Sequence, residues 1–122
     1  MPSDPAKIVD AQIRAYEASD TEGFAALYAE DAICAALPSG RVIANGREDI
    51  RRVWGAMFAR SVREVTIARR MIEGRYVIDA EQVRILATGQ LVEATAIYLV
   101  GEALIERVWF LDPPEQPAGS SP

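Results

Sequence analysis

The chain has no histidine and a single cysteine, Cys34. Imidazole acid–base chemistry and Ser-His-Asp triads are therefore excluded, as are an internal disulfide and a cysteine zinc site. No metal and no cofactor is called for. The candidate for general acid–base work is a carboxylate, Glu106, in the run Leu104-Ile105-Glu106-Arg107-Val108-Trp109. Strand alternation puts Leu104, Glu106, Val108 and Phe110 on one face and Ile105, Arg107, Trp109 and Leu111 on the other. A one-residue slip would exchange Glu106 for Arg107. The plain alternative is a solvated Glu106, or one paired with Arg84 or Arg107.

The 122 residues are enough for one good core, so a single domain over residues 1–111 is expected. Half the residues are hydrophobic, which excludes a disordered acidic chain despite a formal charge of −5. That charge also argues against nucleic acid as a partner. The arginines that gather at Arg47, Arg51, Arg52, Arg60, Arg63, Arg69 and Arg70 are interspersed with carboxylates and read as a solvated face. Met1-Pro2-Ser3-Asp4 carries neither a basic run nor an apolar segment, and no stretch approaches membrane-spanning length. A soluble cytoplasmic protein with no membrane partner is the expectation.

Several elements must position these groups. Asp4-Pro5 is a helix start, with Ile8, Val9, Gln12, Ile13 and Tyr16 on one face of the helix that follows. Ser19-Asp20-Thr21-Glu22 has capping-box spacing and opens a second helix that carries Phe24, Leu27 and Tyr28 inward and ends at Asp31. Short strands from Ile33 to Leu37 and Arg41 to Ala44 flank the turn Pro38-Ser39-Gly40. A third helix follows Asn45-Gly46-Arg47-Glu48, with Ile50, Val53, Trp54, Met57 and Phe58 as its apolar stripe. The period then falls to two. Val65 to Ile78 reads as one long strand bulged at Gly74, and turns at Asp79-Ala80-Glu81, Gly89-Gln90 and Gly101-Glu102 make three hairpins. Residues 112–122, rich in Pro, Gly and Ser, read as a mobile tail.

Helices first and a meander after predict an α+β, cone-shaped fold: three N-terminal helices packed on a strongly curved antiparallel sheet. The order of Ala15 to Ala32, Pro38-Ser39-Gly40 and Gly46-Arg47-Glu48-Asp49-Ile50-Arg51 resembles the nuclear-transport-factor-2-like superfamily, in particular its SnoaL-like and ketosteroid-isomerase-like branches. The resemblance runs from about Ile8 to Leu111 and implies an apolar cone that many chemistries occupy.

Ketosteroid isomerases use an Asp base, with a Tyr and a protonated Asp as donors to the developing oxyanion. By this resemblance Tyr16 takes the place of the oxyanion Tyr, and Tyr98, a phenol, the place of the oxyanion Asp. The base should precede the Pro-x-Gly turn, where this chain has Ala35-Ala36-Leu37-Pro38 and no carboxylate. SnoaL-like cyclases often place a cone carboxylate on the last strand, which points to Glu106. Limonene-epoxide hydrolases need an Asp-Arg-Asp set on the sheet, and with Asp79 in a turn none is found.

The reading that follows is a homodimer binding an apolar or aromatic small molecule, with Tyr16 and Tyr98 as donors to a ligand oxygen and Trp54, Phe58 and Phe110 as ligand-contacting walls. As an enzyme it would be a cofactor-independent isomerase, cyclase or hydratase, with Glu106 as acid–base. The face bearing Leu91, Glu93, Thr95, Ile97 and Leu99 is too apolar to stay in water and is the expected dimer face. The competing reading is a non-catalytic dimeric ligand-binding or interaction domain whose cone is filled by its own side chains. There Tyr16 and Tyr98 each satisfy one hydroxyl at a core edge, and Trp54, Met57, Phe58 and Cys34 are plain core.

Overall fold

The structure, a computed structural model, describes residues 2–112. The expected tail beyond Asp112 lies outside the described residues. In chain order the elements are α1 (Pro5–Glu17), α2 (Thr21–Ala26), β1 (Tyr28–Leu37), β2 (Val42–Asn45), α3 (Arg47–Arg60), β3 (Arg63–Glu73), β4 (Tyr76–Ile85), β5 (Gln90–Val100) and β6 (Ile105–Leu111). Three helices pack on one six-stranded sheet of order β2-β1-β6-β5-β4-β3. The α+β cone is therefore present. Its sheet is mixed, because β1 runs parallel to β6 while every other neighbouring pair is antiparallel.

Asp4 caps α1 by accepting from the Ala6 amide at 3.0 Å, and Pro5 sits where no donor is needed. The cap of α2 is Asp20 rather than Ser19, accepting from Gly23 N at 3.0 Å. This helix is shorter than its apolar spacing suggests. It stops at Ala26, and the segment from Tyr28 on is strand, because β6 offers a parallel partner to which Tyr28 and Ile33 to Leu37 are registered. Long-range pairing overrides a weak local helical period. Gly46, with φ 96°, is the N-cap of α3, and the Asp49 carboxylate reaches back to accept from the Asn45 amide at 2.9 Å.

The larger departure is in the meander. The segment read as one strand bulged at Gly74 is two strands joined by a two-residue turn, Gly74-Arg75, with Glu73 opposite Tyr76. Gly74 has φ 59°, which glycine tolerates at the first centre of a type II′ hairpin. Asp79-Ala80-Glu81 is consequently not a turn but the middle of β4. Arg75 locks this end of the sheet: its guanidinium donates to the carbonyls of Ser3 at 2.7 Å, Val100 at 3.1 Å and Gly101.

The core lies between helices and sheet and is centred on Phe24, which is fully buried. Its ring stacks on Trp54 at 5.7 Å, meets Phe58 edge-on at 5.4 Å and touches Tyr28 at 5.1 Å. Truncating such a residue to alanine costs about 3–5 kcal/mol, so Phe24 ties α2 and α3 to β1. No helix among the described residues is long and apolar enough to cross a membrane.

Candidate functional site

Between α1, α3 and the concave face of the sheet the core opens into a cavity of about 350 Å³. Gln12, Ile13 and Tyr16 of α1 and Trp54 and Met57 of α3 form one wall, and residues of β3, β4, β5 and β6 the other. Alternation on β4 turns Val77, Asp79, Glu81, Val83 and Ile85 to the cone side, and the last three reach the cavity. Glu81 is the one carboxylate among the lining residues. Tyr98 lies on the neighbouring strand β5, whose Ala94 pairs with Glu81, and its hydroxyl donates to Glu81 Oε2 at 3.2 Å.

Burial pushes the Glu81 carboxyl up to about 7, helped by the negative charge of Asp79 two residues away; the Tyr98 hydrogen bond and Arg70 oppose this. Burial likewise raises the Tyr16 phenol to about 12, with Arg63 pulling it down and Glu81 pushing it up. Tyr98, 2% exposed, is driven well above the usual phenol range by burial and then by the charge of Glu81. Near neutral pH the site therefore holds a carboxyl close to half-ionised beside two neutral phenols. Such a carboxyl can take a proton or give one without a large driving-force penalty in either direction.

The expected site residues divide. Tyr16, Tyr98, Trp54 and Phe110 all line the cavity. Tyr98 is not a free donor, since its proton is already directed at Glu81. Phe58 lies behind the wall: it packs edge-on against Tyr16 at 5.5 Å and against Phe24, holding the Tyr16 ring in place. Glu106 does not enter the cone. Leu99 pairs with Arg107 and Val100 with Ile105, so Glu106 is the extra residue of a β-bulge. It is exposed and folds against Gly101, where an added Cβ would collide with its carboxylate. Arg107 falls on the outer face opposite Leu99 and is also exposed. The choice between Glu106 and Arg107 is thus resolved against both.

Glu81 is the residue the sequence reading missed. Its signal was a period of two that continues unbroken through Val77, Asp79, Glu81, Val83 and Ile85 once the turn is placed at Gly74. Moving Asp79 into the strand also reveals an Asp-Arg-Asp array where none was expected. Arg70, directly across from Asp79, grips it with Nε to Oδ1 at 2.7 Å and Nη2 to Oδ2 at 2.9 Å, while Nη1 reaches Asp10 of α1 at 2.8 Å. None of the three lines the cavity. They pin α1 to the sheet, and the charge of Asp79 bears on the site by raising both Glu81 and Tyr98. Among the described residues no group of three or more His, Cys, Asp and Glu side chains converges as a metal site would.

The sequence profile of the SnoaL-like domain matches residues 9–103. The chain belongs to the SnoaL-like family. Among curated proteins no significant match is found. Solved structures with the same fold include an uncharacterised cystatin-fold protein from Novosphingobium aromaticivorans, 26% identical, TM-score 0.77, covering 90% of this chain and 99% of that one. A proposed polyketide cyclase from Sinorhizobium meliloti is 20% identical, with TM-score 0.72 and coverage of 85% and 93%. A proposed ketosteroid isomerase from Kribbella flavida is 19% identical, with TM-score 0.73 and coverage of 94% and 83%. This SnoaL-like domain shares the fold of the last two. Its ionisable group comes from the middle of β4, and β1 brings only Ala36 and Leu37 to the stretch before the Pro-x-Gly turn.

Proposed function

We propose that this SnoaL-like domain binds an apolar or aromatic small molecule carrying an oxygen function, and moves a proton on it with Glu81. The observation that carries this is a carboxyl poised near 7 and hydrogen-bonded to Tyr98 in an otherwise largely apolar cavity. A few convergent polar groups in an apolar hollow are the usual make-up of a small-molecule site. As carboxylate, Glu81 would take a proton from carbon beside a ligand carbonyl, with the neutral Tyr16 phenol donating to the oxygen on which charge develops. The resulting acid can return the proton at another position, which is an isomerisation, or protonate a leaving oxygen in a cyclisation or dehydration. Tyr98 serves this cycle by donating to the carboxylate and accepting from the acid. No cofactor enters these steps. The polyketide cyclase and ketosteroid isomerase proposed on the same fold are named for chemistry of these classes.

We also propose a homodimer through the outer sheet face. Leu91, 59% exposed, heads a face continued by Ile97, Leu99 and Trp109, the last stacked on Tyr76 at 6.4 Å. The buried thiol of Cys34 suits a reducing compartment such as the cytoplasm.

Titrating the protein with 1-tetralone, a planar ketone, and with phenol tests the site. Trp54 lines the cavity and Trp109 does not, so quenching of tryptophan fluorescence should persist in Trp109→Phe and vanish in Trp54→Phe. Quenching that follows Trp109 instead, or saturable binding by neither ligand, would overturn the assignment.

A further inference from the structure

Two polar side chains in the cavity wall have no use in the proton transfer. Gln12 of α1 is 5% exposed, and its Oε1 is buried with no hydrogen-bond partner among the described residues. Arg63, at the start of β3, has a buried Nη1 with no partner either. Arg51, Arg52 and Arg70 are held by carboxylates, whereas Arg63 makes no ion pair among the described residues. Glu17, whose Oε2 accepts from the Val65 amide at 2.9 Å, makes no ion pair with Arg63. Glu64 lies on the opposite face of β3 by alternation and is exposed. A guanidinium cannot shed its proton, and a buried N–H left unpaired is costly. The Gln12 amide also meets the Tyr28 hydroxyl, so what remains open on it is Oε1, and this oxygen and Arg63 Nη1 are the two places where a ligand can supply a missing partner.

Register fixes how far apart those places are. Arg63 pairs with Ile85, Val65 with Val83 and Ile67 with Glu81, so Arg63 and Glu81 are separated by four residues of strand. At the rise of an extended strand this is roughly 13 Å along the sheet. Tyr16, in the same cavity wall, feels the charge of both. Gln12, one helical turn before Tyr16, faces the cavity with it. The volume of about 350 Å³ is at the small end for ligand sites, which suits one or two rings rather than a larger skeleton.

Resting on the site proposed above and naming its ligand class, we propose that the cavity takes a flat one- or two-ring carboxylate with a hydroxyl or carbonyl oxygen at its far end. The carboxylate pairs with Arg63 near the start of β3, the rings lie against Trp54, Val65 and Val83, and the far oxygen reaches Glu81 and Tyr98. A ligand hydroxyl there also donates to Gln12 Oε1. Arg63 thus sets which end enters first, and the acid–base pair acts on the end that carries no charge. The planar fork of the guanidinium matches a carboxylate in two parallel bonds, so the anion is recognised by geometry as well as by charge.

The test compares 6-hydroxy-2-naphthoate with its uncharged amide, 6-hydroxy-2-naphthamide, by isothermal titration calorimetry at pH 6, where Glu81 is mostly protonated. The carboxylate should bind the wild type at least tenfold more tightly than the amide, as a charge-assisted pair implies. That ratio should fall to near one in Arg63→Gln and take an intermediate value in Arg63→Lys, which keeps the charge but not the fork, with the fold of both variants checked by circular dichroism alongside. Equal affinity for acid and amide, or a ratio that survives Arg63→Gln, would overturn the assignment of Arg63 and leave the apolar site standing. Failure of both naphthalenes together with 1-tetralone would remove the site, and this proposal with it.

Discussion

Replacing Glu81 with Gln keeps the shape of the side chain and removes its titration, which makes the environment of the carboxyl measurable through stability. The folded protein holds this group up from 4.5 to about 7. A carboxyl raised on folding favours the protonated form in the native state, so the unfolded chain binds fewer protons between the two values. Stability is then fully present below the unfolded value and is lost as pH rises toward the folded one. A shift of this size corresponds to roughly 3 kcal/mol in total, of which roughly 2.5 kcal/mol is lost between pH 5 and pH 8. Urea unfolding of wild type and Glu81→Gln at pH 5, 6, 7 and 8 reads this directly, because titrations common to both chains cancel in the difference. The variant should gain on the wild type steadily as pH rises, by roughly 2.5 kcal/mol across the range. A difference flat to within about 0.5 kcal/mol would mean that Glu81 is solvated, and the argument for a poised acid would fail.

Tyr98→Phe removes the donor to Glu81, so it should raise the Glu81 titration further, read by NMR, whereas Tyr16→Phe removes the donor to the ligand oxygen and should weaken 1-tetralone binding by about 0.5–1.5 kcal/mol in calorimetry. Arg70→Met leaves Asp79, 0% exposed, as a buried charge without its partner, and should cost about 3–5 kcal/mol in urea unfolding. Cys34, fully buried with its thiol pushed up to about 12, should stay unmodified by Ellman's reagent in the native state and react at once in denaturant. Sedimentation equilibrium at micromolar concentration should give a dimer, and Leu91→Lys with Leu99→Lys should give a monomer that retains 1-tetralone binding.

The cone was legible where local rules and long-range pairing agree. Asp4-Pro5 starts a helix by chemistry that needs no partner, and the stripe Ile50, Trp54 and Phe58 is buried as its period implies. Tyr28 was misread because its neighbours in sequence continue a helical spacing, while its partner in space, Ile105, lies 77 residues on. Glu106 was misplaced for a related reason: alternation is blind to a bulge, and the single extra residue between Arg107 and Ile105 turns the carboxylate out of the cone. Asp79 and Glu81 look like turn residues because acids are rare in the middle of strands. They stand there because Arg70 neutralises one and the cavity receives the other. A local rule broken at the site of chemistry is the pattern expected of a functional position.

The central claim is that Glu81 is an acid–base group facing a ligand cavity. It is tested most directly by a 13C NMR titration of glutamate side-chain carboxyls, with the Glu81 signal assigned by its loss in Glu81→Gln. The account predicts a midpoint near 7 that moves upward when 1-tetralone saturates the site, since a neutral occupant displaces water from the carboxyl. A midpoint in the ordinary glutamate range, unmoved by the ketone, would contradict it.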